Sequence, residues 1–411
     1  MPWSSIGFPK TIRKTTVVRE NQILSADIRT SGRFPVVDQG QAFIAGYSDA
    51  EERVIREDLP LVIFGDHTRC LKYVNFPFIL GADGTKVIKP KEDLFDEKFF
   101  YYALLSLDIP NRGYNRHFSL LKERNVPRPE KDEQRKIAAV LGVVQRAIEQ
   151  QEQLLQLTAE LKKTLLHQLF THGLRGEAQK ETEIGLVPVS WEIVPLGSLA
   201  KVGNGSTPKR DSEGYWQGGT IPWLNSTKIH ERFITEADQF VTDLAVKECH
   251  LPRVKPGSLL IAITGQGKTL GNTALVYFET CINQHLAYAR LTSSNVVPEF
   301  VLWFMQTRYE HLRSVSQAGG STKGALTCGY LKTYPVPVPS LGEQREIANV
   351  FAALDRKEKV HEHKRQSIFD LFRTLLHQLM TAQIRVHDLD LSLLGTIGLG
   401  GENSDHKRYE P

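Results

Sequence analysis

The sequence predicts an α+β protein, in which two globular mixed α/β domains are separated by two long antiparallel helices that pair as a coiled coil with pseudo-two-fold symmetry. Three observations predict it. Residues 126–175 align without a gap with residues 336–385, at an offset of 210, with 21 identities in 50 positions. Apolar residues recur at three-four spacing through each copy, the pattern of a helix with one apolar face. The segments before and between the copies consist instead of short β-type runs punctuated by Gly, Pro and Asn.

The identities open with Val126, Pro127, Pro129, Glu133, Gln134, Arg135, Ile137, Ala138 and Val140, matched by the residues from Val336 to Val350, and close with Thr164-Leu-Leu-His-Gln-Leu169, repeated as Thr374 to Leu379. After its start, each copy is free of Pro, and Gly142 is the one glycine that interrupts the first. The first apolar stripe runs through Ile137, Val140, Val144, Ala147, Leu154, Leu161 and Leu165. Pro127 and Pro129, like Pro337 and Pro339, favour extended chain just ahead of the helix. Ser340 with Glu343 three residues on reads as a capping box, and Glu130 takes the cap position of the first copy. Helices of roughly 40 residues reach about 60 Å at 1.5 Å per residue. Isolated helices are unstable in water, so two such stripes are expected to pack on each other. The polar middle of the second copy (Lys357, His361, Lys364) implies a seam that is interrupted there or faces a partner.

Cutting at the repeats gives a first domain at 1–125, a first helix at 126–172, a linker at 173–187 that begins with Gly173, a second domain at 188–335, a second helix at 336–384 and a tail at 385–411. Both domains mix strands with a helix. The strand signals include Leu61–Phe64, Ser258–Ile263 and Thr273–Tyr277, and the helical stretches are Glu97–Leu107 and Pro298–Val315.

Composition narrows the functional class. At 411 residues the chain exceeds one ordinary domain, and 41% hydrophobic with 24% charged residues is enough for proper cores. A net charge of +4 permits nucleic-acid binding without a cationic tail. Cys70, Cys249, Cys281 and Cys328 form no CxxC pair and no zinc-ligand spacing with His, so no metal site is expected. No signal-peptide core and no run of about 18 apolar residues occurs, so the expectation is a cytoplasmic protein with no membrane contact. Three catalytic patterns fail on inspection. Ala262-x-x-x-x-Gly267-Lys268-Thr269 resembles a loose P-loop, but another β-type run follows where a helix N-terminus should hold phosphate, so a hairpin turn is expected. Asn75-Phe-Pro-Phe78 lacks the Gly-rich strand-turn-helix of a methyltransferase, and Asp96-Glu-Lys98 lacks an acidic partner for a nuclease metal and reads as a solvated helix start.

The repeated Val-Pro-x-Pro…Glu-Gln-Arg-x-Ile at 126–137 and 336–347 resembles the start of the spacer helices in the specificity subunits of Type I restriction-modification systems. The second domain is similar to their target-recognition domains through Gly205-Ser-Thr-Pro208, Tyr215-Trp216, Ile221-Pro-Trp223, Lys255-Pro-Gly257, Asn283-Gln284 and Gly319-Gly-Ser-Thr322. The first resembles another branch through Phe64–Arg69, Gly81–Gly84 and Gly113–His117. It departs from the family in lacking the opening Trp-x-x-x-x-Leu-Gly that the second shows as Trp191…Leu196-Gly197. The resemblance implies a non-catalytic subunit whose two domains each read one half of a bipartite, asymmetric site in double-stranded DNA. It also implies that the helices bind two methyltransferase subunits, that restriction (translocase and nuclease) subunits join that core, and that S-adenosylmethionine, ATP and Mg²⁺ belong to those partners rather than to this chain. A bivalent protein-binding scaffold is the alternative reading of the same architecture.

Base edges are read by Arg, Lys, Asn and Gln, and phosphates are held by Lys, Arg, Ser and Thr. The candidates for DNA contact are therefore His67, Thr68, Arg69, Tyr114, Arg116 and His117 in the first domain. In the second they are Thr207, Lys209, Arg210, Asn225, Lys268, Gln317, Ser321, Thr322 and Lys323. Asp66 and His67 are also readable as a buried hydrogen-bonded pair, and Asn283 and Gln284, beside apolar residues, as structural. Candidates for partner binding are the repeated polar residues Gln134, Arg135, His167 and Gln168, with Gln344, Arg345, His377 and Gln378.

Overall fold

A computed structural model of the protein describes residues 3–82, 84–113, 115–265, 268–318 and 325–388. The chain divides into two units, one running to Gln153 and resuming at Glu362, the other spanning Leu154–His361. Each therefore contains one globular domain and half of each long helix.

In the first unit, the strands Ile12–Arg13, Thr85–Pro90, Leu61–Gly65 and Leu71–Val74 form an antiparallel sheet in that order. A second sheet takes the order Gln22–Ile23, Ile79–Gly81, Phe34–Val37, Gly46–Ser48, with Phe34–Val37 parallel to Ile79–Gly81. The run at Leu61 is buried on both faces, so its period of two divides it between two cores. Leu61 and Ile63 pack with Val37, Phe78 and Leu80 between the sheets, while Val62 and Phe64 pack with Phe99 and Tyr102 of the helix Glu97–Leu105. Asp96 caps that helix by accepting from the Phe99 N–H at 2.9 Å.

The second unit repeats the central strand order, with one more strand in its main sheet and one fewer in its second. Its main sheet runs Ala200–Asn204, Leu286–Leu291, Ser258–Ala262, Thr273–Val276, Phe233–Ile234, and its second sheet Gln239–Val241, Ile221–Leu224, Cys281–Ile282. Leu259 and Ile261 face the helix Pro298–Thr307, and Leu260 and Ala262 face the other core. The segment expected as a linker folds as a hairpin, Gln179–Thr182 with Gly185–Pro188, whose Val187 is buried.

The long helices are Lys131–His172 and Leu341–Met380. In each unit, a half of one lies antiparallel to a half of the other. In the first unit Glu152 meets Arg365 at 3.8 Å, and Glu133 accepts from the Val386 N–H beyond the end of the second helix. In the second unit Lys162 meets Asp355 and Glu358, and Glu343 accepts from the Leu174 N–H beyond the end of the first helix.

Three expectations are corrected. Leu154 and Leu161 of the expected stripe are exposed, and Thr158 and Lys162 take the buried positions, because the Lys162 ammonium finds carboxylates on the facing helix. The capping box is half formed. Ser340 Oγ accepts from the Glu343 N–H, but the Glu343 carboxylate turns to Leu174 N–H and Trp191 Nε1–H, two donors supplied by the chain that follows the first helix.

The third correction concerns the opening of the first domain. Strand Ser5–Gly7 pairs with Asn125–Pro127, placing Ile6 against Val126, and strand Glu192–Pro195 pairs with Pro335–Val338, placing Val194 against Val336. Val126 and Val336 are repeat equivalents, so Trp3 stands where Trp191 does and Phe8 where Leu196 does. The opening keeps its Trp and its spacing as Trp3-x-x-x-x-Phe8-Pro9, with Phe-Pro in place of Leu-Gly. Phe8 and Leu196 are both fully buried.

Candidate nucleic-acid interface

The strand register collects one set of loops at a single edge of the second domain. Asn204 pairs with Ala287, Ala262 with Leu286, Ile261 with Thr273, and Leu224 with Ile282. The chain leaving Asn204, Leu224, Ala262 and Ile282 consequently emerges at one edge. Thr207 Oγ1 donates to Gln284 Oε1, and Thr264 Oγ1 meets His285 Nδ1. His230 Nε2 lies 3.2 Å from Thr269 Oγ1, and the Lys268 carbonyl accepts from Tyr309 Oη–H and Asn272 Nδ2–H at 2.8 and 2.7 Å. These bonds fix the loops while leaving Lys209, Arg210, His230, Lys268, Gln284 and His285 exposed. Asn225 caps the short helix Ser226–Glu231 through the Thr227 N–H at 2.9 Å.

Of the residues expected here, Thr207, Lys209, Arg210, Asn225 and Lys268 come to this edge. Ser321, Thr322 and Lys323 and the Gln317 side chain lie outside the described residues. His230, Thr264 and His285 were not foreseen. Gln284 is exposed at the edge rather than structural, whereas Asn283 is buried and accepts from the His285 N–H. The P-loop-like segment connects two antiparallel strands, with Lys268 in the connection.

The matching edge of the first domain carries loops 38–45 and 66–70, beside the end of strand Ile79–Gly81. Here most expected residues hold the turns themselves. Thr68 Oγ1 donates to the Gln39 carbonyl and accepts from Cys70 N–H, and His67 N–H donates to Gln39 Oε1 at 3.3 Å. Arg69 has a left-handed φ of 62° and donates to the Ile109 carbonyl at 2.8 Å. His117 is fully buried, with Nδ1 2.9 Å from the Asp66 carbonyl and Nε2 accepting from Arg112 N–H, so it is withdrawn as a base reader. Asp66 pairs with this segment, through Phe118 N–H at 2.8 Å. Buried Lys72 ties down the first loop by donating to the Asp38 and Ala42 carbonyls. Desolvation lowers its pKa, and Asp38 opposes that shift. Arg112 and Arg116 remain exposed, and Tyr114 lies outside the described residues.

The repeated helix residues separate into two groups. Gln134 and Gln344 are buried, and each makes the same three bonds. Gln134 accepts from Asp96 N–H (2.7 Å) and donates to the Leu94 and Pro129 carbonyls (3.0 and 2.9 Å). Gln344 accepts from Val297 N–H and donates to the Asn295 and Pro339 carbonyls, all at 2.8 Å. They staple each helix start to its domain and are corrected from partner-binding candidates to structural ones. Arg135, Arg345, His167, Gln168 and His377 are exposed, and Gln378 is half-buried. Among the described residues, no group of three or more His, Cys, Asp and Glu could hold a metal, and no helix is long and apolar enough to cross a membrane.

Residues 188–369 match the family model of the Type I restriction modification DNA specificity domain. The chain is 22% identical over 341 residues to the Type I restriction enzyme EcoR124I/EcoR124II specificity subunit of Escherichia coli, covering 81% of this chain and 82% of that one. It is 30% identical over 215 residues to the Type I restriction enzyme MjaIX specificity subunit of Methanocaldococcus jannaschii, covering 50% and 48%. The crystal structure of the Type-I restriction-modification system S subunit from M. genitalium has the same fold, with a TM-score of 0.59 at 18% identity over 92% of this chain and 96% of that one. Two mixed domains on a duplicated helix, one of them matching a DNA specificity domain, define a restriction-modification specificity fold. Residues 188–369 carry the Type I restriction modification DNA specificity domain, and over most of its length the chain is similar to Type I restriction enzyme specificity subunits.

Proposed function

We propose that this chain is the DNA sequence-specificity subunit of a Type I restriction-modification complex. Each domain reads one half of a bipartite asymmetric site in double-stranded DNA. The helices set the distance between the halves and dock methyltransferase subunits, and restriction subunits join that assembly. The chain itself has no catalysis. S-adenosylmethionine, ATP and Mg²⁺ act on the partner subunits, and the complex works in the cytoplasm. One observation carries the reading: the frame is duplicated, down to the three bonds of Gln134 and Gln344, while the loops at the strand edges differ between the domains. A common mount with divergent edges suits two unrelated half-sites at fixed separation, since two-fold protein symmetry otherwise mirrors a symmetric site.

The test is a footprint of the full chain with its methyltransferase partner on duplex DNA. Two protected blocks with an unprotected gap are expected, and absence of sequence-selective protection overturns the reading in favour of a protein scaffold. Affinity is also expected to fall steeply as salt rises, because exposed Lys209, Lys268 and Arg116 would displace counterions from phosphates. Lys268→Ala should flatten the log–log salt slope by about 1 without changing the preferred sequence.

A further inference from the structure

We infer that Arg210 reads a guanine in the half-site of the second domain, an assignment that rests on the DNA-reading function proposed above. Arg210 is exposed, yet its guanidinium is held in place. The guanidinium carbon lies 4.1 Å from the ring centroid of Trp216 and 4.8 Å from that of Trp223. The two indoles meet edge to face, 5.2 Å apart at 88°. Each is anchored in turn: Trp223 is buried and donates to the Ser206 carbonyl at 3.2 Å, and Trp216 donates to the Lys209 carbonyl at 3.0 Å. Arg210 Nη1 donates to Gln239 Oε1 at 2.8 Å, which sets the rotation of the fork and leaves the other N–H groups without a partner among the described residues.

Aromatic rings attract a guanidinium cation without using its N–H donors, and with one N–H committed to Gln239 they restrict how the fork can turn. Guanine presents two acceptors, N7 and O6, on its major-groove edge, and a planar fork matches both at once. Contact with a phosphate requires charge but no fixed plane, and the exposed neighbour Lys209 already supplies charge. Holding one arginine against two indoles and a glutamine therefore serves base reading. The arginine also lies on the loop that shares its edge with Thr207, Asn225, Gln284 and Lys268.

The experiment is a methylation assay of the full complex on a randomised duplex library, comparing the unaltered chain with Arg210→Ala, Arg210→Lys and Trp216→Leu. The unaltered complex should select a site with a fixed G·C pair in one half. Both Arg210 variants should lose discrimination at that pair by about 5- to 150-fold, with every other position retained. Trp216→Leu should lose part of it, because the arginine remains but its plane is freed. Arg210→Lys keeps the positive charge, so its loss of discrimination would separate geometry from electrostatics. If the unaltered complex selects no site, the DNA-reading function fails. If it selects one, and the Arg210 variants weaken binding to all sequences alike or change nothing, the function stands and the guanine assignment is overturned.

Discussion

Replacing Gln344 by Ala is expected to lower the stability of the second unit by about 2–4 kcal/mol, because it leaves the part-buried Val297 N–H and Asn295 carbonyl and the buried Pro339 carbonyl without their partner. Gln344→Glu should cost at least as much. A carboxylate still accepts from Val297 N–H, but it has no proton to give the Asn295 and Pro339 carbonyls, and it places a charge where exposure is 0%. Gln134→Ala should have the same effect on the first unit. The two are separable by tryptophan fluorescence during urea unfolding. Trp191, Trp216, Trp223 and Trp303, four of the chain's five tryptophans, lie in the second unit, so Gln344→Ala shifts the fluorescence midpoint and Gln134→Ala leaves the main signal in place. A shift equivalent to less than about 0.5 kcal/mol for Gln344→Ala, the range of an ordinary surface change, would show that the three bonds do not hold the helix to its domain.

These glutamines also mark where the sequence was legible and where it was not. The helices were readable because a 210-residue offset and a helical apolar period are properties of the letters alone. The direction in which Gln134 points is not such a property. A polar residue repeated to satisfy buried chain ends looks the same in sequence as one repeated to meet a partner, and only the strand-to-helix turns at Leu94–Asp96 and Asn295–Val297 distinguish the two. The opening of the first domain was hidden for a related reason. Phe8-Pro9 stands in place of Leu-Gly, and the equivalence of Trp3 to Trp191 follows from strand register rather than from identity. The candidate interface was half legible. Exposed Arg and Lys beside turn residues could be picked out one by one. His230, Thr264 and His285 became neighbours only when the strand order brought their loops to one edge. Asn283 and Gln284 illustrate the limit at its sharpest: adjacent in sequence, one is buried and the other exposed.

Asp355→Ala is expected to destabilise the second unit by about 3–5 kcal/mol, since it leaves two cations beside Trp303 with too little negative charge. Lys162 is nearly buried and meets Asp355 and Glu358 across the helix pair, and its ammonium lies 5.1 Å from the Trp303 ring centroid. Arg232 reaches the same carboxylate at 3.0 Å and the same ring at 4.8 Å. In the first unit the equivalent positions carry uncharged side chains. The repeat equivalents of Lys162 and Asp355 are Phe372 and Gln145, and the equivalent of Trp303 is Tyr102, whose hydroxyl donates to Gln145 Oε1 at 2.8 Å while its ring packs on Phe372 at 6.0 Å. A pairing that brought two first-helix halves together would set Lys162 against Gln145, which lacks the carboxylate that Asp355 offers, so the two sites distinguish the two half-helix pairs. Lys162→Phe combined with Asp355→Gln copies the neutral arrangement into the second unit. The double variant should recover most of the stability lost in Asp355→Ala, because Arg232 is about one-third exposed and can stay solvated. Urea midpoints of the two single changes and the pair give the coupling directly. Additive losses, with no recovery in the double variant, would show that the buried charges do not act as one unit.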